Sequence, residues 1–190
     1  MEIKKKTDMQ HFLDYEDVKQ KIVYKLINTE RNKELMEDIP HIEFLDLSII
    51  FQCLISQGEL GVASILIRNT HMDLWGVTVE DLYQAAKENT QELLPYVIKP
   101  VTEILCDTMQ SGIQEGVGYE QCMEDLDDNI SMFVLSNRNM VAGASCMLYP
   151  NLIGDFADAI GSDLYIILSS IHELLLLPTE NDGGFQRLRA

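Results

Sequence analysis

The sequence predicts an α+β domain: an antiparallel or mixed sheet with helices packed mainly on one side. Three observations predict it. Short apolar runs of strand length recur in both halves of the chain, separated by turns bearing glycine, asparagine and serine. Segments of helical period stand between them, with capping residues where they start and stop. Strand, strand, helix comes in the same order in Leu45–Ala86 and in Met132–Ile160, a pseudo-repeat of order without residue-level identity. Packing helices on one face of such a sheet is the simplest way to bury these elements.

In chain order, Tyr15, Val18, Ile22 and Leu26, with Val23 and Ile27, recur at helical spacing, so residues 12–27 read as an amphipathic helix. Residues 28–40 are polar, with one short helical piece before Pro40. Phe44–Ser56 sets Ile49, Phe51, Cys53 and Ile55 on one side of an extended chain. Ile50 and Leu54 interrupt the polar other side, so this strand is covered on most of both faces. Gln57–Gly61 supplies a turn, and Val62–Leu74 reads as a returning strand with Asn69, His71 and Asp73 on one face.

Thr78, with Glu80 and Asp81 behind it, suits the positive end of a helix whose stripe is Val79, Leu82, Tyr83 and Ala86, and Asn89 suits its left-handed cap. After Leu93–Ile98, Pro100 fits the first turn of a helix ending near Met109. Residues 110–129 are acidic and glycine-bearing, a loop joining halves 12–109 and 130–178. Met132–Pro178 reads as strand, strand, helix, strand, strand. Asn137-Arg138-Asn139 is its first hairpin tip, and Gly161 closes its helix. The last strands read as tightly buried, their few polar residues finishing strands. The whole is a single domain over 12–178 with loose termini at 1–11 and 179–190.

At 190 residues the chain can bury a core without metal or disulfides. Its 46% hydrophobic and 24% charged residues are globular composition, not that of disorder. A formal charge of −17 repels phosphate backbones and anionic headgroups, so neither nucleic acid nor membrane is expected as a partner. The four cysteines, Cys53, Cys106, Cys122 and Cys146, show no C-x-x-C pattern, and two lie inside apolar runs. No signal peptide stands at the N-terminus, and the run around Leu174–Leu177 is too short to span a bilayer. A cytoplasmic protein is the expectation.

His172-Glu173 is the first candidate for chemistry. Zinc peptidases place a second histidine one helical turn later, but Leu176 stands there, so no metal site is expected. Ser170, His172 and Glu173 supply the residue types of nucleophile and base for acyl transfer, without the G-x-S-x-G elbow. Asn137, Arg138 and Tyr149 are candidates to close on the same pocket, with Arg138 as an anion contact. Asn69 and His71 are candidates for a strand emerging into a cleft. Trp75 is expected to pack against Gly76 and the following helix rather than to serve a ligand. Asp125, Asp127, Asp128 and Asn129 lack the glycine and glutamate of a calcium loop, and no phosphate-binding glycine motif occurs. No cofactor is expected.

Trp75-Gly76-Val77-Thr78 with Leu82, Ala85 and Asn89-Thr90, then Tyr149-Pro150 and Ser169-Ser170-Ile171-His172-Glu173, together with Asn28–Leu35, carry a resemblance. The chain resembles a family of uncharacterised bacterial proteins, a domain of unknown function from anaerobic gut bacteria, over Phe12 to about Pro178. The resemblance implies no activity and no catalytic residue. The family pattern continues past the His-Glu strand where this chain ends in GGFQRLRA, which leaves open a trimmed or divergent member.

Two functional expectations follow. The leading one is a non-catalytic binding or protein-interaction module using sheet edges or hairpin ends, with a protein or small molecule as ligand. The alternative is a small hydrolase or transferase centred on Ser170, His172 and Glu173.

Overall fold

Eight β-strands among the described residues build two antiparallel sheets that share one core. They are seen in a computed structural model that describes residues 12, 14–58, 61–104 and 132–179. The first sheet holds β1 (Ile22–Asn28), β2 (His41–Phe44), β3 (Leu47–Gly58) and β4 (Gly61–Leu66). The long β3 pairs with β1 along one side; β2 and β4 lie end to end along its other side. The second sheet runs β5 (Tyr96–Pro100), β6 (Phe133–Asn137), β8 (Leu174–Pro178), β7 (Leu164–Leu168). The helices include α1 (Tyr15–Val18), α2 (Lys33–Met36), α3 (Asn69–Trp75), α4 (Val79–Leu93) and α5 (Leu152–Ile160), and residues 101–104, directly after β5, are helical as well.

Alternation along β1 and β3 places the core. Ile22, Tyr24 and Leu26 meet Leu47, Ile49, Phe51 and Cys53 on one face, with Leu82 and Ala86 of α4. Leu135, Cys146, Tyr149, Leu174 and Leu176 from the second half complete that cluster, so both sheets close over one interior. The other face of the first sheet is covered too, by Met36 and Ile39 against Ile27 and Ile50, and by Leu94 against Val23 and Leu54. Lys25 shares that face, and burial lowers its ammonium pKa. The strand expected for residues 44–56 begins only at Leu47, because Phe44 ends β2 and Leu45 (φ 57°) turns the chain; its alternation then holds as far as Leu54, where a register shift breaks it and leaves Ile55 exposed.

Three stretches differ from the sequence reading. Residues 22–27 continue as strand β1, not helix. Apolar residues at both parities are buried here, and a strand covered on two faces mimics helical spacing. Residues 69–75 form α3 rather than prolonging β4. The Nδ1 of His71 accepts the Arg68 N–H (3.0 Å) at its start, and Gly76 ends it in the left-handed conformation (φ 66°). Asn69, His71 and Asp73 therefore share no strand face. Residues 143–148 are a 3-10 helix where a second strand was expected, so the two halves agree only in beginning with a strand and ending with a helix.

Local signals serve better at the helix ends. Thr78 caps α4, its hydroxyl accepting the Asp81 N–H (3.2 Å) while the Asp81 carboxylate accepts the Thr78 N–H (2.9 Å). Gly161 (φ 69°) closes α5. The helix α4 runs past Asn89 to Leu93, because Asn89 turns its amide to the carbonyls of Lys19 (2.7 Å) and Ile22 (2.9 Å) instead of capping. The expected acidic loop 110–129 and the end of the helix toward Met109 lie outside the described residues, as do 1–11 and 180–190.

Candidate functional site

The β6–α5 connection and the β7–β8 turn come together at one end of the second sheet. The organiser is Asn137, the last residue of β6, which is wholly buried. Its Oδ1 accepts the N–H groups of Asn139 (3.0 Å) and Val141 (3.3 Å), and its Nδ2 donates to the Val141 carbonyl (2.7 Å). One side chain thus satisfies the backbone of the loop it introduces, the turn-forming habit of asparagine. Met140 (φ 53°) and Ala142 (φ 55°) adopt the left-handed conformation, a local cost that these bonds offset.

Residues 169–173 fasten to this loop. The Ser136 hydroxyl donates to the His172 carbonyl (2.7 Å), and the Ala142 N–H donates to His172 Nδ1 (3.2 Å). The Ala144 N–H donates to the Ile171 carbonyl (3.3 Å). Gly143 makes this approach geometrically feasible: a Cβ there would run into Ser136 Oγ, the His172 carbonyl and the Asn137 nitrogen.

The residue types of an acyl-transfer centre are present, but the hydrogen bonds they make are those of the turn itself and, through His172 Nδ1, of its fastening to the loop. His172 Nδ1 is an acceptor for Ala142, so the neutral ring carries its proton on Nε2. The Ser170 hydroxyl accepts the His172 N–H (3.0 Å), and Glu173 takes the hydroxyl of Ser169 (3.4 Å). Among the described residues no hydrogen bond joins Ser170 Oγ to the His172 ring. Arg138 is exposed at the tip. Tyr149 lies elsewhere, buried, with its hydroxyl donating toward the carbonyls of Leu94 (2.6 Å) and Thr90 (3.2 Å); burial raises its pKa.

Asn69 and His71 are remote from this end. The Asn69 amide donates to the Glu37 carbonyl (3.2 Å). His71 stacks on Trp75 (5.6 Å between centroids), and Phe12 meets both rings edge-on. Trp75 packs against Phe12, Tyr15 and His71 and against the core cluster to which α4 contributes Leu82 and Ala86, and its indole N–H donates to the Phe12 carbonyl (3.1 Å). Burial and the neighbouring Arg68 lower the His71 pKa. Cys53 and Cys146 are free and buried, and burial pushes both thiols up to about 11. Among the described residues no three His, Cys, Asp or Glu side chains converge, and no helix is long and apolar enough to cross a membrane.

The fastened loops expose aliphatic side chains beside the polar Arg138, Asn139, Ser169 and His172. Met140, Val141 and Ile171 are 44%, 38% and 46% exposed, and the adjoining β7 exposes Ile166 and Leu168 at 42% each. The expectation of a tightly buried sheet holds for β8, whose Leu174 and Leu176 are inaccessible, and fails for β7. The strand β7 is the sheet's outer strand, with no strand beyond it among the described residues. A usable signal was present in the sequence: Leu-Tyr-Ile-Ile-Leu has no Lys, Glu or Pro, the residues that ordinarily blunt an exposed edge.

The profile described as a family of unknown function (DUF5688) matches residues 1–190, so the chain belongs to that family. No curated protein and no solved structure matches it.

Proposed function

Starting from a family that brings no activity with it, we propose that the chain is a non-catalytic protein-interaction module of the reducing cytoplasm. Its contact surface is the outer edge of β7 with the apolar tips Met140, Val141 and Ile171. The observation that carries the reading is the inversion at this end of the sheet. Polar side chains such as Asn137 and Ser136 are buried in fastening the loops, while aliphatic side chains face out. An apolar surface beside a strand with no further strand on its outer side among the described residues suits recognition by strand addition, where backbone bonds bind and alternate side chains select. The free, buried thiols support the cytoplasmic assignment.

The hydrolase reading centred on Ser170, His172 and Glu173 is disfavoured by the hydrogen bonding of the ring and the serine. A photo-reactive residue at Ile171 tests the proposal against it. Adducts formed at Ile171, not formed from exposed Lys87 on α4, and lost with Ile166→Lys support the module. Turnover in an ester, peptide and phosphate screen that disappears in a folded His172→Ala protein, with no adduct at Ile171, overturns it.

A further inference from the structure

We infer that Lys25, in the middle of β1, is an acyl-acceptor site whose Nζ takes a small acyl group from a thioester. This site lies on the first sheet and owes nothing to the contact surface at β7. The register of β1 fixes where the lysine stands. Val23, Lys25 and Ile27 alternate onto the face opposite the main core, and Ile50 of β3 lies directly across from Lys25. Two separate apolar clusters cover that face. One gathers Leu54 and Leu94 about Val23, and the other gathers Met36 and Ile39 about Ile27 and Ile50. Lys25 stands between them, flanked by three buried aliphatic side chains but itself only half-buried, so that it keeps a path to solvent.

No other described lysine is placed this way. Lys19, Lys33 and Lys99 meet Glu16 (3.8 Å), Glu30 (2.6 Å) and Glu103 (2.6 Å), while Lys21 and Lys87 are exposed. Lys25 has no carboxylate beside it among the described residues, although the chain holds 31 acidic side chains against 14 basic ones. The ionisable groups of β2 on that face, His41 and Glu43, lie beyond β3. Those of the covering helices, Glu34 in α2 and Glu92 in α4, are exposed. Burial therefore acts on the ammonium without an offsetting charge and lowers its pKa. An amine desolvated among aliphatic side chains releases its proton more readily, which is how a lysine becomes a nucleophile near neutral pH.

The step needs only the acyl donor. The lone pair of the free-base Nζ attacks the thioester carbonyl carbon, a C–N bond forms, and the C–S bond breaks. The departing thiolate takes up the proton that the nitrogen gives up. The product is a neutral amide, so β1 no longer holds an ammonium partly out of water, and no ion pair is broken in making it. An aldehyde suits the place less well, because the imine it forms stays basic and regains a charge on protonation.

Timed labelling of the full chain near neutral pH with the S-acetyl thioester of a small neutral thiol, read by peptide mass spectrometry, tests the assignment. Lys25 should be acetylated at least about threefold faster than exposed Lys87. The advantage should vanish above about pH 10.4, where ordinary lysines lose their protons too. It should vanish as well in denaturing urea, where the covered face no longer exists. A second measurement reads the desolvation directly. Lys25→Met should raise the urea midpoint with circular dichroism unchanged, while Lys25→Arg, which keeps a charge there, should not. Lys25 reacting no faster than Lys87 in the folded chain, an advantage that persists in urea, or a midpoint that fails to rise in Lys25→Met overturns the assignment. The adducts expected at Ile171 are untouched by any of these results, so this site and the contact surface stand or fall separately.

Discussion

The outer strands β1 and β7 carry the same kind of sequence and end in opposite conditions. Each is a largely aliphatic and aromatic run at the margin of a sheet, although β1 also holds Lys25 and Asn28. The edge of β1 is closed by α4: the Tyr24 N–H donates to the Thr90 hydroxyl (3.1 Å), which donates in turn to the Ala86 carbonyl, and Asn89 takes the Ile22 carbonyl (2.9 Å). No helix side chain does this for β7 among the described residues. Protection of the β1 edge therefore comes from two polar side chains 66 and 67 residues downstream of the residues they bond. Closure of one edge makes it part of the core; the other has no strand beyond it among the described residues.

That contrast can be broken in order of expected effect. The largest loss should come where the β7 end is fastened. Gly143→Ala forces a Cβ into backbone and hydroxyl atoms and should cost about 3 kcal/mol, read as a lower urea midpoint. Next comes the closed edge. Thr90→Val keeps the shape but leaves the buried Tyr24 N–H without an acceptor, an expected loss of about 2 kcal/mol. Tyr24→Phe works in the opposite direction. The Tyr24 hydroxyl is buried without a hydrogen-bond partner among the described residues, so its removal should leave stability unchanged or raise it by up to about 1 kcal/mol. At the open edge, Ile166→Lys should move folding stability by no more than about 0.5 kcal/mol, because the side chain already stands partly in water. If Ile166→Lys unfolds the chain as Thr90→Val weakens it, the two edges are not different in kind.

A pH series sharpens the comparison at the closed half. Burial, then Arg68, holds the folded His71 pKa below its ordinary 6.5. The unfolded chain then binds the extra proton first. The contribution of neutral His71 is present above about pH 6.5 and is lost as pH falls below it toward the folded value. His71→Gln should flatten the fall of thermal midpoint between neutral and mildly acidic pH. A variant whose midpoint falls as steeply as that of the original chain removes His71 from the account.

Elements whose signals are local were legible. Thr78 with Asp81 announced the start of α4, Gly161 the end of α5, and the alternation from Leu47 to Leu54 a strand with two covered faces. Residues 22–27 were not legible as strand, because Ile22, Val23, Leu26 and Ile27 fit a helical stripe and a doubly buried strand equally well. At the candidate site the polar cluster around His172 was visible as a turn, but its direction was not. Nothing in Asn137-Arg138-Asn139 says that the first asparagine is buried and the arginine exposed. Met140, Val141 and Ile171 were missed for the same reason, since composition does not tell which side of a loop faces water.

By itself the sequence determined the α+β class, the acidic surface, the absence of a complete reactive motif and the helix caps, because each depends on composition or on residues a few positions apart. The tertiary structure alone decided which strand edges are sealed, which polar groups turn inward and where apolar side chains remain outside. Those outcomes depend on which distant segments pack together: Thr90 reaches Tyr24 only where α4 lies along β1, and His172 reaches Ala142 only where the β7–β8 turn lies against the loop after β6.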